Sequence, residues 1–285
     1  MHDGKQLIHA FDALWDKYHK RLTACHDEAG EEAVHKFRIS IRRLLASIEL
    51  FQALVPRREL RKLRKALKAQ LDSFDELRDT QVMLLEIASA FEALPELYPF
   101  LKQLQIDEQR LSQQTSAAIQ SIDDSKLQPL FKKARDHLLD TLGKAGLKPQ
   151  ILTIIDDIYR IVMDRYQLID IVQPGTIHRT RIAVKKLRYM LEASEIVLPP
   201  LPEDHLKQIH AYLTSMGEIQ DSSVLLLSLK GFFGEQMPLS VQTHYQHRHS
   251  TIINAYMSRR EEIFQFWRPS AKQAFPWKVS HLGRT

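Results

Sequence analysis

Cysteine is almost missing from this chain: Cys25 is the only one in 285 residues. No intramolecular disulfide can brace the fold, and such a composition suits a reducing compartment. Glycine and proline are also scarce, at nine and twelve, whereas Leu, Ala, Glu, Lys, Arg and Gln are plentiful. That balance favours helices. No apolar run approaches the length of about 20 residues that would cross a bilayer, so no membrane association is expected. Asp3, Lys5, Asp12 and Asp16 interrupt the first apolar residues, which is not how a secretory signal is written. The expected location is therefore the cytoplasm. No Gly-rich phosphate loop occurs, no Cys pair offers a zinc site, and no segment alternates with strand periodicity between hairpin turns.

What is present is enough apolar residue, 44 %, to build a proper core. Forty Lys and Arg against 35 Asp and Glu give a formal charge of +5. A surplus that small implies an anionic partner only if the cations are clustered.

They are clustered, and the cluster is written twice. Residues 34–56 read VHKFRISIRRLLASIELFQALVP and residues 177–199 read IHRTRIAVKKLRYMLEASEIVLP. At a constant offset His35 matches His178, Arg38 matches Arg181, Arg42 matches Lys185, Glu49 matches Glu192 and Pro56 matches Pro199. After a one-residue slip, LRDTQV at 77–82 aligns with IQDSSV at 219–224 and pairs Asp79 with Asp221. Two blocks in the same order indicate an internal repeat. The boundary is placed between residues 145 and 146, giving repeats 1–145 and 146–285 within one domain.

Apolar spacing predicts helices throughout. The first carries Leu7, Phe11, Leu14, Tyr18 and Leu22, and a second runs from Gly30 to Pro56. A long third helix is predicted over 57–93, and one broken or two consecutive helices over 96–143. Four more are predicted over 150–172, 175–198, 203–233 and 239–267. The fold class is all-α, with two bundles of about four helices each.

On the second helix Val34, Phe37, Ile41, Leu44 and Ile48 share one stripe at 100° per residue. His35, Arg38, Arg42 and Glu49 lie about 80–120° round from its centre, beside the core and not opposite it. His178, Arg181, Lys185, Arg188 and Glu192 hold the same place in the other repeat. Unpaired charge beside a core is costly, so these cations need carboxylates or a bound anion. Between residues 36 and 68 eleven Lys or Arg face only Glu49 and Glu59, and Arg61, Arg64 and Lys68 fall on one helix face. Arginine offers a planar fork of donors to phosphate and lysine a mobile point charge. Neighbours at i, i+3 and i+4 stand roughly 5–6 Å apart, an interval that suits successive phosphates of an extended chain. Two helices from each repeat could thus line a shared basic groove. In the empty site Glu49, Asp79, Glu192 and Asp221 are expected to hold cations in position.

These residues resemble the CHAD family, the "conserved histidine α-helical domain". Its hallmark is a His-x-x-Arg-x-x-x-basic-basic-x-Arg helix in each of two helical repeats, each followed by a helix with an Asp-containing signature. The copy from His178 through Arg181, Lys185 and Lys186 to Arg188 fits throughout, while the first copy places Leu45 where the last basic residue belongs. Arg78-Asp79 keeps the signature pair, and Gln220-Asp221 keeps only its acid. The resemblance spans essentially the whole chain. It implies two bundles related by a pseudo-twofold axis and binding of inorganic polyphosphate by the basic residues of a central cavity, without catalysis, cofactor or metal. It also implies association with polyphosphate granules in a stand-alone domain, and Leu45 implies that the two repeats grip unequally.

Three other readings compete with this one. A metal-dependent phosphohydrolase would draw on His26-Asp27 or on the acidic pairs Asp75-Glu76, Asp123-Asp124 and Asp156-Asp157, which read as solvated helix surface. A metal protein would use His244, His247 and His249. A nucleic-acid binder would need exposed aromatics for stacking, whereas Trp15, Phe37, Phe51 and Phe74 sit on apolar stripes. Only Tyr189 and Tyr212 are exceptions.

Overall fold

A computed structural model describes residues 2–28 and 30–279. The described residues are helical without a strand. In chain order the helices are α1 (Asp3–Asp27), α2 (Glu31–Leu54), α3 (Arg58–Asp72), α4 (Asp75–Ala90), α5 (Tyr98–Gln120) and α6 (Leu127–Leu142). There follow α7 (Lys148–Tyr166), α8 (Gly175–Ser194), α9 (His205–Phe233), α10 (Leu239–Arg259) and a one-turn α11 (Pro276–Val279).

The largest departure from the sequence-based expectation is the long third helix, which is two helices. Its ladder stops at Ser73, whose hydroxyl donates to Gln70 O at 2.7 Å instead of leaving the backbone to continue. Short polar side chains compete for backbone groups in this way and break helices. The expected 96–143 segment is likewise two helices, α5 and α6. Several ends fall short of prediction. α7 stops at Tyr166 and not 172, α8 at Ser194 and not 198, and the last long helix gives way to a 3-10 turn, Arg260–Gln265. α9 ends where Gly234 adopts φ 57°, a left-handed conformation open to glycine. Of the C-terminal residues 276–285 the first four form α11, and 280–285 lie outside the described residues.

Amphipathicity decides what faces inward. On α2, Phe37, Ile41, Leu44 and Ile48 are completely buried. Ile177, Val184, Leu187 and Leu191 do the same for α8. Each such side chain contributes roughly 1.5–3 kcal/mol by leaving water. The two stripes belong to one buried cluster that also takes in α1, α3, α6, α7 and α9, because α2 packs directly against α8. A second, smaller cluster joins α4 and α5 to α9 and α10 through Ile87, Leu104, Leu229 and Tyr245.

The segment after α10 is fastened from two sides. Asp156 of α7 accepts from Trp267 Nε1 at 2.8 Å and from Arg268 Nε and Nη2 at 2.9 and 2.7 Å. His205 Nε2 donates to Phe266 O at 2.9 Å. The Asp156 carboxylate, read from the sequence as solvated surface, is thus a buried anchor: only 16 % of its side chain is exposed.

Candidate functional site

Where α2 meets α8, with α4 and α9 alongside, the residues flanking the apolar stripes converge. α2 supplies Arg38 and Arg42, α8 supplies Arg181 and Lys185, and α4 supplies Arg78; each lies within the electrostatic reach of others in the group. Asp75 and Asp221 are the acids among them.

The five cations are not equally committed. Arg38, the most buried at 7 % exposure, donates from Nη1 to Phe74 O at 2.5 Å and from Nη2 to Asp75 at 2.9 Å. The carbonyl it reaches stands at the break between α3 and α4, where it also accepts from Arg78 N at 3.3 Å as α4 begins, so the interruption that the sequence reading missed supplies a partner to this arginine. Arg78 shares Asp79 at 3.3 Å and Asp221 at 3.8 Å. Arg181 donates weakly from Nε to Leu213 O at 3.4 Å and lies over Gly217, where a Cβ would stand 3.1 Å from Nη2. A glycine at 217 therefore gives the guanidinium its resting place.

Arg42 and Lys185 are different. The buried Nε of Arg42 has no hydrogen-bond partner. Lys185 makes neither an ion pair nor a hydrogen bond among the described residues, and its Nζ lies 5.8 Å from the centre of the Tyr189 ring. Burial, then Arg42 and Arg181, push its pKa down to about 8, with Asp75 opposing. Arg181 and Arg38 are lowered too, by burial first. His178 is held below the ordinary histidine range by burial and then Arg181, and its Nδ1 is buried without a partner. Asp221 is raised by burial, against the pull of Arg78 and Arg181. The cation cluster is thus short of negative charge.

Two clefts adjoin the cluster. One, of about 680 Å³ between α2, α4 and α5, is lined by His35, Arg38, Arg42 and Arg78, with Glu31, Glu32 and Glu108 also on its walls. The other, of about 400 Å³ between α8, α9 and α10, is lined by His178, Gln220 and His249. A third cleft, of about 490 Å³ between α4 and α9–α10, is lined by Glu86, Glu218 and Asp221, with Arg248 already held by Glu86. Its charge disfavours an anion.

Residues 9–230 match the family model of the CHAD domain. The chain belongs to the CHAD domain family. Two solved structures share its fold. One is the crystal structure of the CHAD domain from the plant Ricinus communis, with a TM-score of 0.67 and 18 % identity, covering 96 % of this chain and 93 % of that one. The other is PptA from Streptomyces chartreusis, with a TM-score of 0.68 and 16 % identity, covering 93 % of this chain and 99 % of that one. Identities this low speak for the fold alone. Among curated proteins none matches the chain.

Within this CHAD domain the residues singled out from sequence fall into three groups. Arg38, Arg42, Arg181 and Lys185 come together, and His35 and His178 line the adjoining clefts. Arg188 sits at the edge of the cluster, bonded to Glu192 at 2.8 Å and to His210 Nδ1 at 3.0 Å, with its guanidinium 5.9 Å from the Tyr189 ring. Arg61, Arg64 and Lys68 lie elsewhere. Arg64 pairs with Glu49 at 2.9 Å and lines a separate cleft with Lys186, Lys68 pairs with Asp72 at 2.8 Å, and Arg61 is exposed.

All four acids named from sequence sit beside cations, Glu49 by Arg64, Glu192 by Arg188, and Asp79 and Asp221 by Arg78. The sequence reading left out Asp75, read as solvated surface, and Arg78. The Arg78-Asp79 signature was the signal that could have found the latter. Of the other acidic pairs, Asp124 reaches His19 Nδ1. His26 Nε2 bonds Ile119 O at 3.0 Å, and His249 turns from α10 to Ser222 at 3.1 Å. Among the described residues no three His, Cys, Asp or Glu side chains are placed to share a metal ion. Tyr212 is fully buried and Tyr189 half-buried beneath cations, while Trp15, Phe37, Phe51 and Phe74 are core. No helix among the described residues is long and apolar enough to cross a membrane.

Proposed function

We propose that this CHAD domain binds inorganic polyphosphate without turning it over, each of two sequence repeats supplying part of the grip, in the cytoplasm and in association with polyphosphate granules. One observation carries the reading: Arg42 and Lys185 are half-buried among other cations with no carboxylate of their own. Such an arrangement is unfavourable until an anion enters, because buried charge needs compensation. A run of phosphates passing from the His35 cleft over Arg42, Arg181 and Lys185 to the His178 cleft would supply it. His35 and His178 would donate to phosphate oxygens at the two ends, and Arg38, held by Phe74 and Asp75, would offer a fixed positive field. Arg61, Arg64 and Lys68 are left out of this track.

The test is titration calorimetry with long-chain polyphosphate at two salt concentrations. Neutralising four or five phosphates releases counterions, so affinity should fall roughly a hundredfold between 50 and 200 mM salt. Absence of binding at low salt ends the reading. Phosphate release in the same cell would replace binding by a phosphohydrolase, and displacement by RNA at equal phosphate concentration would favour a nucleic-acid module.

Acidity gives an independent check. Lys185 must be protonated to hold phosphate, and its pKa lies near 8 in the free protein. Below that value the ammonium is present, and as the pH rises through it the cation is lost while the internal phosphates keep their charge. Bound phosphate opposes this by raising the pKa, so the decline in affinity spreads from about pH 8 toward the ordinary lysine value near 10.4. The contact at stake is charge-assisted, on the order of 1.5–3 kcal/mol, so affinity should drop about ten- to a hundredfold by pH 10. Lys185→Arg should flatten that decline, since a guanidinium stays charged. An unchanged slope in the variant would assign the titration to another group.

A further inference from the structure

The same lysine has chemistry that anion binding does not use. Lys185 stands among Arg42 from α2, Arg181 on its own helix and Arg78 from α4. The carboxylate that bears on it, Asp75, is hydrogen-bonded to Arg38. The residue as a whole is half-buried, so part of its side chain still meets solvent. Tyr189, one turn along α8, covers one side of Nζ.

We propose that Lys185 is a nucleophilic amine that acyl phosphates acylate, with the guanidinium groups of Arg42, Arg181 and Arg78 holding the phosphoryl end of the donor. In the step the Lys185 nitrogen attacks the acyl carbon and a C–N bond forms. The bond from that carbon to the phosphate oxygen breaks, and phosphate leaves with the electron pair. The extra proton on nitrogen passes to water or to the departing phosphate. Nothing is oxidised or reduced. The product is a neutral amide in the middle of the cation cluster, which removes one positive charge from it.

Two features favour this residue over the other lysines. Only the neutral amine attacks. With a pKa of about 8 it is neutral for about a quarter of the time at pH 7.5, against roughly one part in a thousand for an ordinary lysine. Burial is the larger cause of the amine's lowered proton affinity, and the cations that add to it are also the donors that recruit the dianion. A lysine depressed by burial alone would lack that recruitment.

The inference rests on the cluster and not on polyphosphate being its ligand, so the two can fail separately. The experiment treats the full chain with acetyl phosphate at pH 7.5 and follows acetylation of each lysine by peptide mass spectrometry. It is repeated with N-acetoxysuccinimide, an uncharged donor. Lys186, exposed and one residue along the same helix, is the internal reference. Lys185 should react at least tenfold faster than Lys186 with acetyl phosphate, and this preference should shrink several-fold with the uncharged reagent. Inorganic pyrophosphate should slow Lys185 and leave Lys186 alone. Equal rates at the two lysines overturn the proposal, and so does a preference that is the same for both donors. A protein that fails to bind polyphosphate yet acetylates selectively at Lys185 would refute the binding reading and leave this one standing.

Discussion

Replacing Arg42 and Lys185 together by alanine is expected to weaken polyphosphate binding by about two to four orders of magnitude while leaving the protein as stable as before, or more so. Each substitution removes a charge-assisted contact to phosphate on the order of 1.5–3 kcal/mol. Neither removes a hydrogen bond or ion pair from the folded protein, because Arg42 Nε and Lys185 Nζ make none among the described residues. What disappears from the free protein is repulsion, since Arg42 and Lys185 each depress the other's neighbours. Residues kept against the interest of stability are the mark of a site maintained for function. The measurement pairs a binding isotherm with a melting curve. A melting temperature that falls by several degrees along with affinity would show that these cations hold the fold together.

The opposite pattern is expected for Asp156→Ala. Its carboxylate takes three hydrogen bonds from Trp267 and Arg268, and the two charged side chains are only 14 % and 16 % exposed. Deleting it strands a buried guanidinium and an indole N–H, which costs about 3–5 kcal/mol. In a chain of this size that is a fall of roughly 5–15 °C in melting temperature. Asp156→Asn should lose less, because its amide oxygen still accepts from Trp267. Polyphosphate affinity below the transition should stay within about twofold of the parent, since the anchor lies outside the cation cluster. An Asp156→Ala protein that melts like the parent would mean that the segment from Phe266 onward adds little to the fold.

How much of this was legible in the sequence depended on whether the interaction was local. The stripe of Phe37, Ile41, Leu44 and Ile48 follows from helical periodicity alone, and all four are completely buried. The position of Arg38, Arg42, Arg181 and Lys185 beside that stripe followed from the same geometry. Pairing did not. Arg64 looked like a site residue because its helix face is basic, yet Glu49, 15 positions away, holds it. Asp75 looked solvated because nothing near it in the chain needs it, yet it serves Arg38 across 37 positions. Asp156 reaches over 111 positions to Trp267. Charge pattern states which residues are cationic, and only the fold states which cations remain uncommitted. The break at Ser73 lay just as deep, since Asp, Ser and Phe are tolerated inside helices as well as at their ends.

The shared core of α2 and α8 also bears on how the protein is made. The two stripes that cover each other are separated by about 140 residues of chain, so the second must be synthesised before the first can be fully shielded. At the usual pace of a ribosome that delay is on the order of ten seconds. Throughout it Phe37, Ile41 and their neighbours lack α7 and α8 and rest chiefly against α1 and α3. Closing so long a loop adds little to the final free energy but slows the search for it. The nascent N-terminal half is therefore the stage at which this protein is most exposed to aggregation and to capture by holding chaperones, well before the cation cluster can assemble.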